Sequence, residues 1–342
     1  MSRVLFDLDS RHSYNKLYPA YETIYKTLDN SNDAQIPKYI NSSDLMIMKK
    51  ALENIRIITN TANRNLVDLE NELVERAAEL GNNDAVSILA FEAILDNDRD
   101  SSDKIHAKKL IAQLLKIKHP LTTKMSGDLC LKNSLSEQAE DFYQKFLELE
   151  KDTFLSSEVY TILGKLYFEK PELIQSKQFF TKAIRTGPLD KVVTAHYYLG
   201  QIYAQDDLLK SRYHFELCAS QGFKESFQQL GFMELNYFKN VTKAKEWFKL
   251  GVELQDLNCI IGLFDCFIRL KEWRNAYRSS QQLEGNLDES SLKHFKESRE
   301  KTIKLLAENY MPPKKQFQAI EEYSRGNLSK PNMKQENDRW SI

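Results

Sequence analysis

The 342-residue sequence contains little glycine and proline, with 11 glycines and 8 prolines. A fold built from many tight turns uses more of both residues, because they set the special backbone angles of turns. The composition therefore favours helices. No apolar stretch approaches the roughly 20 residues that a membrane-spanning helix needs. The best candidate, residues 259–270, is short and contains Asp265 and Arg269, so we expect any membrane contact to be peripheral.

The chain also lacks an excess of charge of either sign, since it contains 48 Lys and Arg residues and 49 Asp and Glu residues. Nucleic-acid-binding proteins usually carry a basic excess, because phosphate contacts supply most of their affinity. We therefore expect no nucleic-acid partner. The four cysteines lack the spacing of a disulfide framework, which favours a reducing compartment. The start MSRVLFDLDS has no secretory signal, and Asp7 and Asp9 are unlike an acid-poor transit peptide.

Internal repetition is the strongest pattern in the chain. A glycine recurs at intervals of 37, 36, 31 and 31 residues, and a small residue follows each glycine 11 to 14 residues later. The glycines are Gly127, Gly164, Gly200, Gly231 and Gly262. The small residues are Ala139, Ser176, Ser211, Ala244 and Ala276, and an aromatic follows four of them, as Tyr143, Phe180, Phe215 and Phe248. Small residues are needed where two antiparallel helices cross closely, and aromatics fill the adjacent space.

The unit VYTILGKLYFEKPELIQSKQFFTKAIRTGP resembles a tetratricopeptide repeat at five positions, with Pro188 starting the next unit. The later units have the shorter loops of the Sel-like variant. We count six units over residues 84–285, and predict an all-α solenoid of tetratricopeptide and Sel-like repeats with an N-terminal helical cap.

The predicted organisation has four parts. Residues 1–80 form a helical cap or arm, 81–286 the repeat array, 287–310 a single closing helix (Glu289 to Asn309), and 311–342 a disordered polar tail. The cap contains amphipathic helices over 14–28, 44–58 and 63–80, with Ser43 as the N-cap of the second. An N-terminal arm is expected to pack through Leu5 and Phe6.

Catalytic and metal motifs are weak. Asp7-Leu8-Asp9 after an apolar run looks like the nucleophile strand of haloacid-dehalogenase-type phosphatases, but Ser10-Arg11 replaces the usual Gly-Thr and no second acidic pair follows. Cys259 and Cys266 lie two helical turns apart, too far for one zinc ion, and are interpreted as core residues. His214 and Cys218 share a face without further ligands nearby. We predict a non-enzyme without cofactor or metal.

A binding surface remains as the candidate site. In stacked repeats the first helices line the concave face, and residues around each glycine point into the groove. The predicted groove residues are Lys124, Asp128, Thr161, Lys165, Tyr197, Gln201, Gln228, Phe232 and Asn236. This mixed polar and aromatic surface suits a peptide or a partner helix. Binders of chaperone C-termini place Asn after the glycine, and none of these repeats does, so that partner is disfavoured.

Several segments resemble a small family of fungal mitochondrial proteins, the tetratricopeptide-type factors required to export the C-terminal domain of cytochrome c oxidase subunit 2. They are LDSRHSYNKLYPAY (8–21), SSDLMIM (42–48), AAELGNNDAVSIL (77–89), GFKESFQQLGFMELNYFKNVTKAKEWFKLG (222–251) and FDC (264–266). The resemblance implies a peripheral protein on the matrix side of the mitochondrial inner membrane. The implied partners are oxidase subunit 2 and the inner-membrane insertase machinery.

The resulting hypothesis is a non-catalytic scaffold that assists insertion of oxidase subunit 2 and thereby oxidase assembly. Two alternatives stay open at this point: a cytosolic or nuclear repeat adaptor of an unrelated pathway, and a helical-repeat protein that binds RNA. The near-neutral charge disfavours the RNA alternative.

Overall fold

The computed structural model describes residues 1–28 and 36–310, and within them every regular element is a helix. The fold class is thus all-α, as predicted. The helices are α1 (Ser2–Asp7), α2 (Tyr14–Lys26), α3 (Ser42–Thr59), α4 (Arg64–Glu79), α5 (Asn83–Leu95), α6 (Ser101–Lys116), α7 (Pro120–Lys132), α8 (Ser136–Leu149), α9 (Phe154–Glu169), α10 (Leu173–Thr186), α11 (Leu189–Tyr203), α12 (Leu208–Ser220), α13 (Lys224–Asn236), α14 (Val241–Glu253), α15 (Leu257–Arg269), α16 (Trp273–Asn286), α17 (Glu289–Ser298) and α18 (Glu300–Asn309). Among the described residues, none of the helices has the length and apolar character required to span a bilayer.

The chain divides into two compact units, Met1–Leu166 and Tyr167–Ile342, which we call unit 1 and unit 2. The four-part division expected from the sequence stays a prediction, and its tail, 311–342, lies outside the described residues. The six predicted repeat units correspond to six successive helix pairs, from α5 and α6 to α15 and α16.

Polar N-caps fix where many of these helices begin. Asn82 Oδ1 accepts the backbone amide of Ala85 at 3.1 Å, and Asn240 and Asp288 cap α14 and α17 in the same way. Such side chains satisfy amides that have no partner inside the helix, which stabilises each start by about 1 kcal/mol. At the turn before α5, Gly81 has φ of 79°, in the region that favours glycine. Short capped turns are therefore enough to reverse the chain between helices.

The glycine-aromatic pattern of the sequence becomes direct packing within the helix pairs. A Cβ placed on Gly127 would lie 2.7 Å from the Tyr143 ring, and one on Gly200 would lie 2.7 Å from the Phe215 ring. Ala139 is fully buried beside the first of these contacts. The absent side chain lets the first helix lie directly against an aromatic ring of the second. At Gly127, Gly200 and Gly231 the recurring residues are thus the crossing points of their helix pairs, as predicted.

At the N-terminus, the structure corrects two predictions. The N-cap of α3 is Asn41 and not Ser43, because Asn41 Oδ1 accepts the Asp44 amide at 2.8 Å and the Asp44 carboxylate accepts the Asn41 amide at 2.8 Å. This reciprocal pair is a capping box. Leu5 is buried as expected, but Phe6 is 82% exposed, because α1 is helical and adjacent residues of a helix point in different directions.

The same helix overturns the phosphatase alternative. That alternative requires a strand leading into Asp7 and Asp9, and the residues before Asp7 belong to α1. Asp9 follows the helix with φ of 50°, in the left-handed region. The acidic pair therefore lies at a helix end and not at a strand end.

The predicted single closing helix is also corrected, since it is divided into α17 and α18 at Arg299. Arg299 has φ of −122° and serves as the C-cap of α17 and the N-cap of α18. Its guanidinium donates to both carboxylate oxygens of Asp265 on α15, at 2.9 and 2.8 Å. The break turns the chain so that Phe295 and Leu306 are both buried in the core of unit 2.

Candidate partner-binding surface

In unit 1, the first residues of the predicted groove form an ionic cluster between α7 and α9. Lys124 Nζ lies 2.9 Å from the Asp128 carboxylate and 3.3 Å from that of Glu158 on α9. The side chain of Lys124 is only 16% exposed. Burial by itself lowers the pKa of its ammonium, but the two carboxylates outweigh burial and raise that pKa. Lys124 therefore stays charged and joins neighbouring first helices.

The repeat pattern itself positions Asp128. Because residue 127 is glycine, the Tyr143 ring lies against α7, and its hydroxyl donates to Asp128 Oδ1 at 2.7 Å. Burial, followed by this hydrogen bond to a carboxylate, raises the pKa of the Tyr143 phenol. The core aromatic of one helix thus orients a surface carboxylate of another.

Thr161 and Lys165 lie on α9 in unit 1, on one helical face with Glu158. The Thr161 hydroxyl donates to the Ser157 carbonyl at 2.8 Å, within its own helix. Glu158 was missed by sequence reasoning. Its spacing of three residues from Thr161 and seven from Lys165 is the signal that could have identified it.

The predicted residues of unit 2 are chemically different, because all of them are uncharged. Tyr197 and Gln201 lie one turn apart on α11. The Tyr197 ring is half-buried, with its centroid 5.0 Å from that of Phe223 and 5.6 Å from that of Phe215. Burial raises the pKa of the Tyr197 phenol, while the amides of Gln201 and Gln229 oppose this rise. Tyr197 is thus an anchored aromatic whose polar end lies among amide side chains.

On α13, Gln228, Phe232 and Asn236 form a stripe with spacing of four residues. The Phe232 ring meets the buried Phe248 ring edge-on, with centroids 4.9 Å apart, whereas Asn236 is exposed. Gln228 Oε1 accepts the Asn258 side-chain amide of α15 at 3.5 Å. Asn258 was also missed, because the sequence did not show which residue of the next first helix lies beside Gln228.

The unit 1 face consists of Lys124, Asp128, Glu158, Thr161 and Lys165. The unit 2 face consists of Tyr197, Gln201, Gln228, Phe232, Asn236 and Asn258. All of these residues lie on first helices of the repeat pairs, but their role in binding stays a prediction.

Among the described residues of unit 1, a serine, a histidine and an aspartate lie close together. His119 Nε2 lies 3.4 Å from Asp84 Oδ1, and His119 Nδ1 lies 3.4 Å from Ser87 Oγ. The Ser87 hydroxyl is fully buried and donates to the Asn83 carbonyl at 2.8 Å. His119 Nδ1 also lies 2.9 Å from Thr122 Oγ1 at the start of α7, of which His119 is the N-cap. A nucleophile needs access to substrate, so this arrangement is a helix cap and not a catalytic triad.

Two histidines and three cysteines are buried: His196, His214, Cys218, Cys259 and Cys266. In residues 1–28 and 36–310, no group of three or more His, Cys, Asp or Glu side chains is arranged to hold a metal ion. Cys259 and Cys266 are fully buried free thiols, as their interpretation as core residues requires. His214 Nδ1 lies 2.9 Å from His196 Nδ1, and Cys218 donates to the Val193 carbonyl at 3.3 Å.

Comparison with known proteins identifies the family. The chain is 35% identical over 322 residues to Protein MSS2, mitochondrial, of Saccharomyces cerevisiae, and the match covers 90% of this chain and 91% of that protein. Residues 1–82 also match the family described as the MSS2 N-terminal domain. The chain belongs to the MSS2 family. The resemblance drawn from the sequence segments is thereby confirmed.

Solved structures show the fold of this MSS2-family chain. The protective antigen c5321 of uropathogenic Escherichia coli, described as having an SLR fold, is 16% identical with a TM-score of 0.51, covering 80% of this chain and 62% of that protein. PilF of Pseudomonas aeruginosa is 12% identical with a TM-score of 0.50, covering 63% and 97%. At such identities the likeness shows the helical-repeat architecture alone.

The part matched by the MSS2 N-terminal domain contains a long-range ion pair. The Arg11 guanidinium donates to both oxygens of the buried Asp44 carboxylate and to the Tyr39 carbonyl. Burial opposes ionisation of Asp44, but Arg11 and the Asn41 amide together lower the pKa of its carboxyl group. The pair joins two of the segments that carry the family resemblance, 8–21 and 42–48, at the N-terminus of α3. In this chain the two segments are thus held together by one ion pair.

Proposed function

We propose that this chain is a non-catalytic protein-binding scaffold that assists the translocation and insertion of cytochrome c oxidase subunit 2 into the mitochondrial inner membrane. It acts peripherally on the matrix side, together with the insertase machinery. Membership of the MSS2 family supports the mitochondrial location, since the yeast relative is named as mitochondrial. The subunit and the insertase come from the family resemblance of the sequence.

The observation that carries the binding proposal is the chemistry of the unit 2 face. Its amide side chains both donate and accept hydrogen bonds, so they suit the backbone of an extended segment. Tyr197 and Phe232 are held in place by ring contacts, and thus offer aromatic surface at a small further entropy cost. An unfolded segment emerging at a membrane presents free backbone groups and apolar side chains. The unit 2 face therefore suits an unfolded segment better than it suits the charged terminus of a chain.

A scaffold role is also consistent with where the reactive groups lie. Ser87 is fully buried and hydrogen-bonded, and burial raises the pKa of the thiols of Cys218, Cys259 and Cys266. Raising a thiol pKa disfavours the nucleophilic thiolate. The Ser87 hydroxyl and these three thiols therefore act in packing the core.

The experiment is a crosslinking pull-down from mitochondria with the full chain as bait, accompanied by carbonate extraction. We expect recovery of oxidase subunit 2 or its insertase, with the bait extracted by carbonate. Replacing Gln201 and Gln228 together by alanine should weaken that recovery, because both amides lie on the unit 2 face. The matched control is the double replacement of Gln175 and Gln178, exposed amides on the second helix α10.

Equal recovery with both double variants would refute the unit 2 face as the binding site. A bait absent from mitochondria, or one that recovers only cytosolic partners, would refute the proposed pathway. Thermal melts of the variants followed by circular dichroism distinguish lost binding from lost folding.

A further inference from the structure

Helix α6 and its C-terminal turn carry an unusual concentration of positive charge. Between residues 101 and 118 there are five lysines and one acidic residue, Asp103, a net charge of +4, whereas the whole chain has a net charge of −1. The lysines are Lys104, Lys108, Lys109, Lys116 and Lys118. A local excess of this kind creates a positive field that a neutral protein otherwise lacks.

The lysines lie largely on the solvent side of an amphipathic helix. Ala107, Ile111 and Leu114 are buried in unit 1, on the side that packs against α5 and α7. On the opposite side, the exposed positions 105, 109, 112 and 116 follow the helical spacing of four, three and four residues. Lys109 lies within this stripe and Lys116 at its C-terminal end, with Lys108 beside it.

None of the five lysines forms an ion pair with an acidic side chain of the described residues. Exposed lysines on other helices are commonly paired, as in Lys145 with Asp141 at 2.5 Å, Lys249 with Glu246 at 2.9 Å and Lys304 with Glu300 at 2.6 Å. The positive charge of α6 is therefore available to an external anionic partner. This differs from the usual solvated helix face, where alternating charges neutralise each other.

Apolar side chains flank the lysine stripe at both ends. Ile105 is 53% exposed at the N-terminal end, and Ile117 is 63% exposed just after the helix. Exposed isoleucines next to lysines are the combination that lets a helix lie in the headgroup region of a bilayer. Lysine contacts the anionic headgroups while the apolar side chain enters the boundary with the acyl chains.

We infer that the exposed face of α6, with Ile105, Lys108, Lys109, Lys116 and Ile117, docks onto an anionic phospholipid surface. The segment 101–118 contains no arginine, phenylalanine, tyrosine or tryptophan, on which single-stranded bases commonly stack, and its lysines lie next to exposed isoleucines, which favours a lipid surface over nucleic acid. This face would make the peripheral membrane contact of the proposed function, and the inference rests on that proposal. Its test uses purified protein and vesicles without any partner, so it fails separately from the export proposal.

The test is flotation of the purified full chain with vesicles of phosphatidylcholine, either alone or containing about three parts in ten of phosphatidylglycerol. We expect binding to the anionic vesicles only, decreasing as salt is added. Replacing Lys108, Lys109 and Lys116 by glutamine should weaken binding about 100-fold, at about five-fold per lysine. Replacing Ile105 and Ile117 by glutamine should also weaken it, with less dependence on salt.

The matched control replaces Lys145, Lys293 and Lys304 by glutamine, which changes the net charge equally on exposed sites of other helices. We expect this control to bind almost as the parent does. Equal losses in both triple variants would show that only net charge matters and would overturn the inference. Binding of the parent to an RNA oligonucleotide but not to vesicles, lost in the α6 variant, would overturn it in favour of nucleic acid. All substituted side chains are exposed, and thermal melts confirm that each variant folds.

Discussion

The packing of Phe248 between two glycines leads to a prediction with a definite sign. A Cβ on Gly231 of α13 would lie 2.4 Å from the Phe248 ring, and a Cβ on Gly262 of α15 would also lie 2.4 Å from it. The ring is fully buried on α14, between these two first helices. It therefore has no space to withdraw when either glycine is replaced. We predict that Gly231→Ala destabilises unit 2.

The magnitude follows from two opposing contributions. Alanine is favoured over glycine inside a helix by about 1 kcal/mol. Overpacking a well-filled core costs about 1 to 3 kcal/mol. Because the Phe248 ring is in contact with a helix on both sides, we expect a cost near the upper end of this range. The net loss is then about 2 kcal/mol in the free energy of unfolding. With a urea slope near 3 kcal/mol per molar, the midpoint decreases by about 0.7 M.

The assay is urea unfolding followed by circular dichroism, with Gly285→Ala as the matched control. Gly285 lies in α16 with no atom near its absent Cβ. There the same substitution should stabilise the protein by up to about 1 kcal/mol, since only the helix preference acts. Phe248→Leu should partly compensate for Gly231→Ala, so the double variant loses less than the sum of the single losses. If Gly231→Ala stabilises the protein as much as Gly285→Ala does, the packing argument is refuted.

Two further predictions concern hydrogen-bonding and protonation. Tyr143→Phe removes the 2.7 Å hydrogen bond to Asp128 and should lower the free energy of unfolding by about 1 to 2 kcal/mol in urea titrations, whereas Tyr213→Phe, on an exposed ring, should change it little. Burial lowers the pKa of His214 to about 4, and the neighbouring His196 adds to this effect. Because the unfolded histidine binds its proton more readily, stability should be complete above about pH 6.5 and decrease as pH falls towards 4. Thermal melts over this range should show a weaker decrease for His214→Gln, and an equal decrease would contradict the assignment.

The sequence predicted the glycine-aromatic contacts of three helix pairs because its signals are local. Each glycine, small residue and aromatic has a fixed spacing, and that spacing alone determines which residues meet within a helix pair. Pro188 was expected to start a unit and is the N-cap of α11. The residues at which helices begin were harder to predict, because several polar residues near a helix start can serve as the N-cap. Ser43 was predicted for α3, but the reciprocal hydrogen bonds with Asp44 make Asn41 the N-cap.

The predicted binding residues divide in a similar way. Their positions on first helices follow from the repeat register. Glu158 and Asn258 were missed because each belongs to the surface through a neighbour on another helix, Lys124 and Gln228 respectively. Such contacts depend on how successive helix pairs pack, which no single repeat encodes. The lysine excess of residues 101–118 is present in the sequence, but only the structure shows that these lysines form no ion pair within the described residues.

The sequence by itself determined the helical class, the six repeat pairs and the resemblance to a family, because composition, periodicity and segment similarity are properties of the linear chain. Only the tertiary structure decided that Lys124 joins two helices and that Arg299 divides the closing helix. Those outcomes depend on contacts between residues distant in the chain, such as Arg299 with Asp265. The physical reason is that burial and ion pairing are set by neighbours in space, and periodicity within one helix specifies only the neighbours along it.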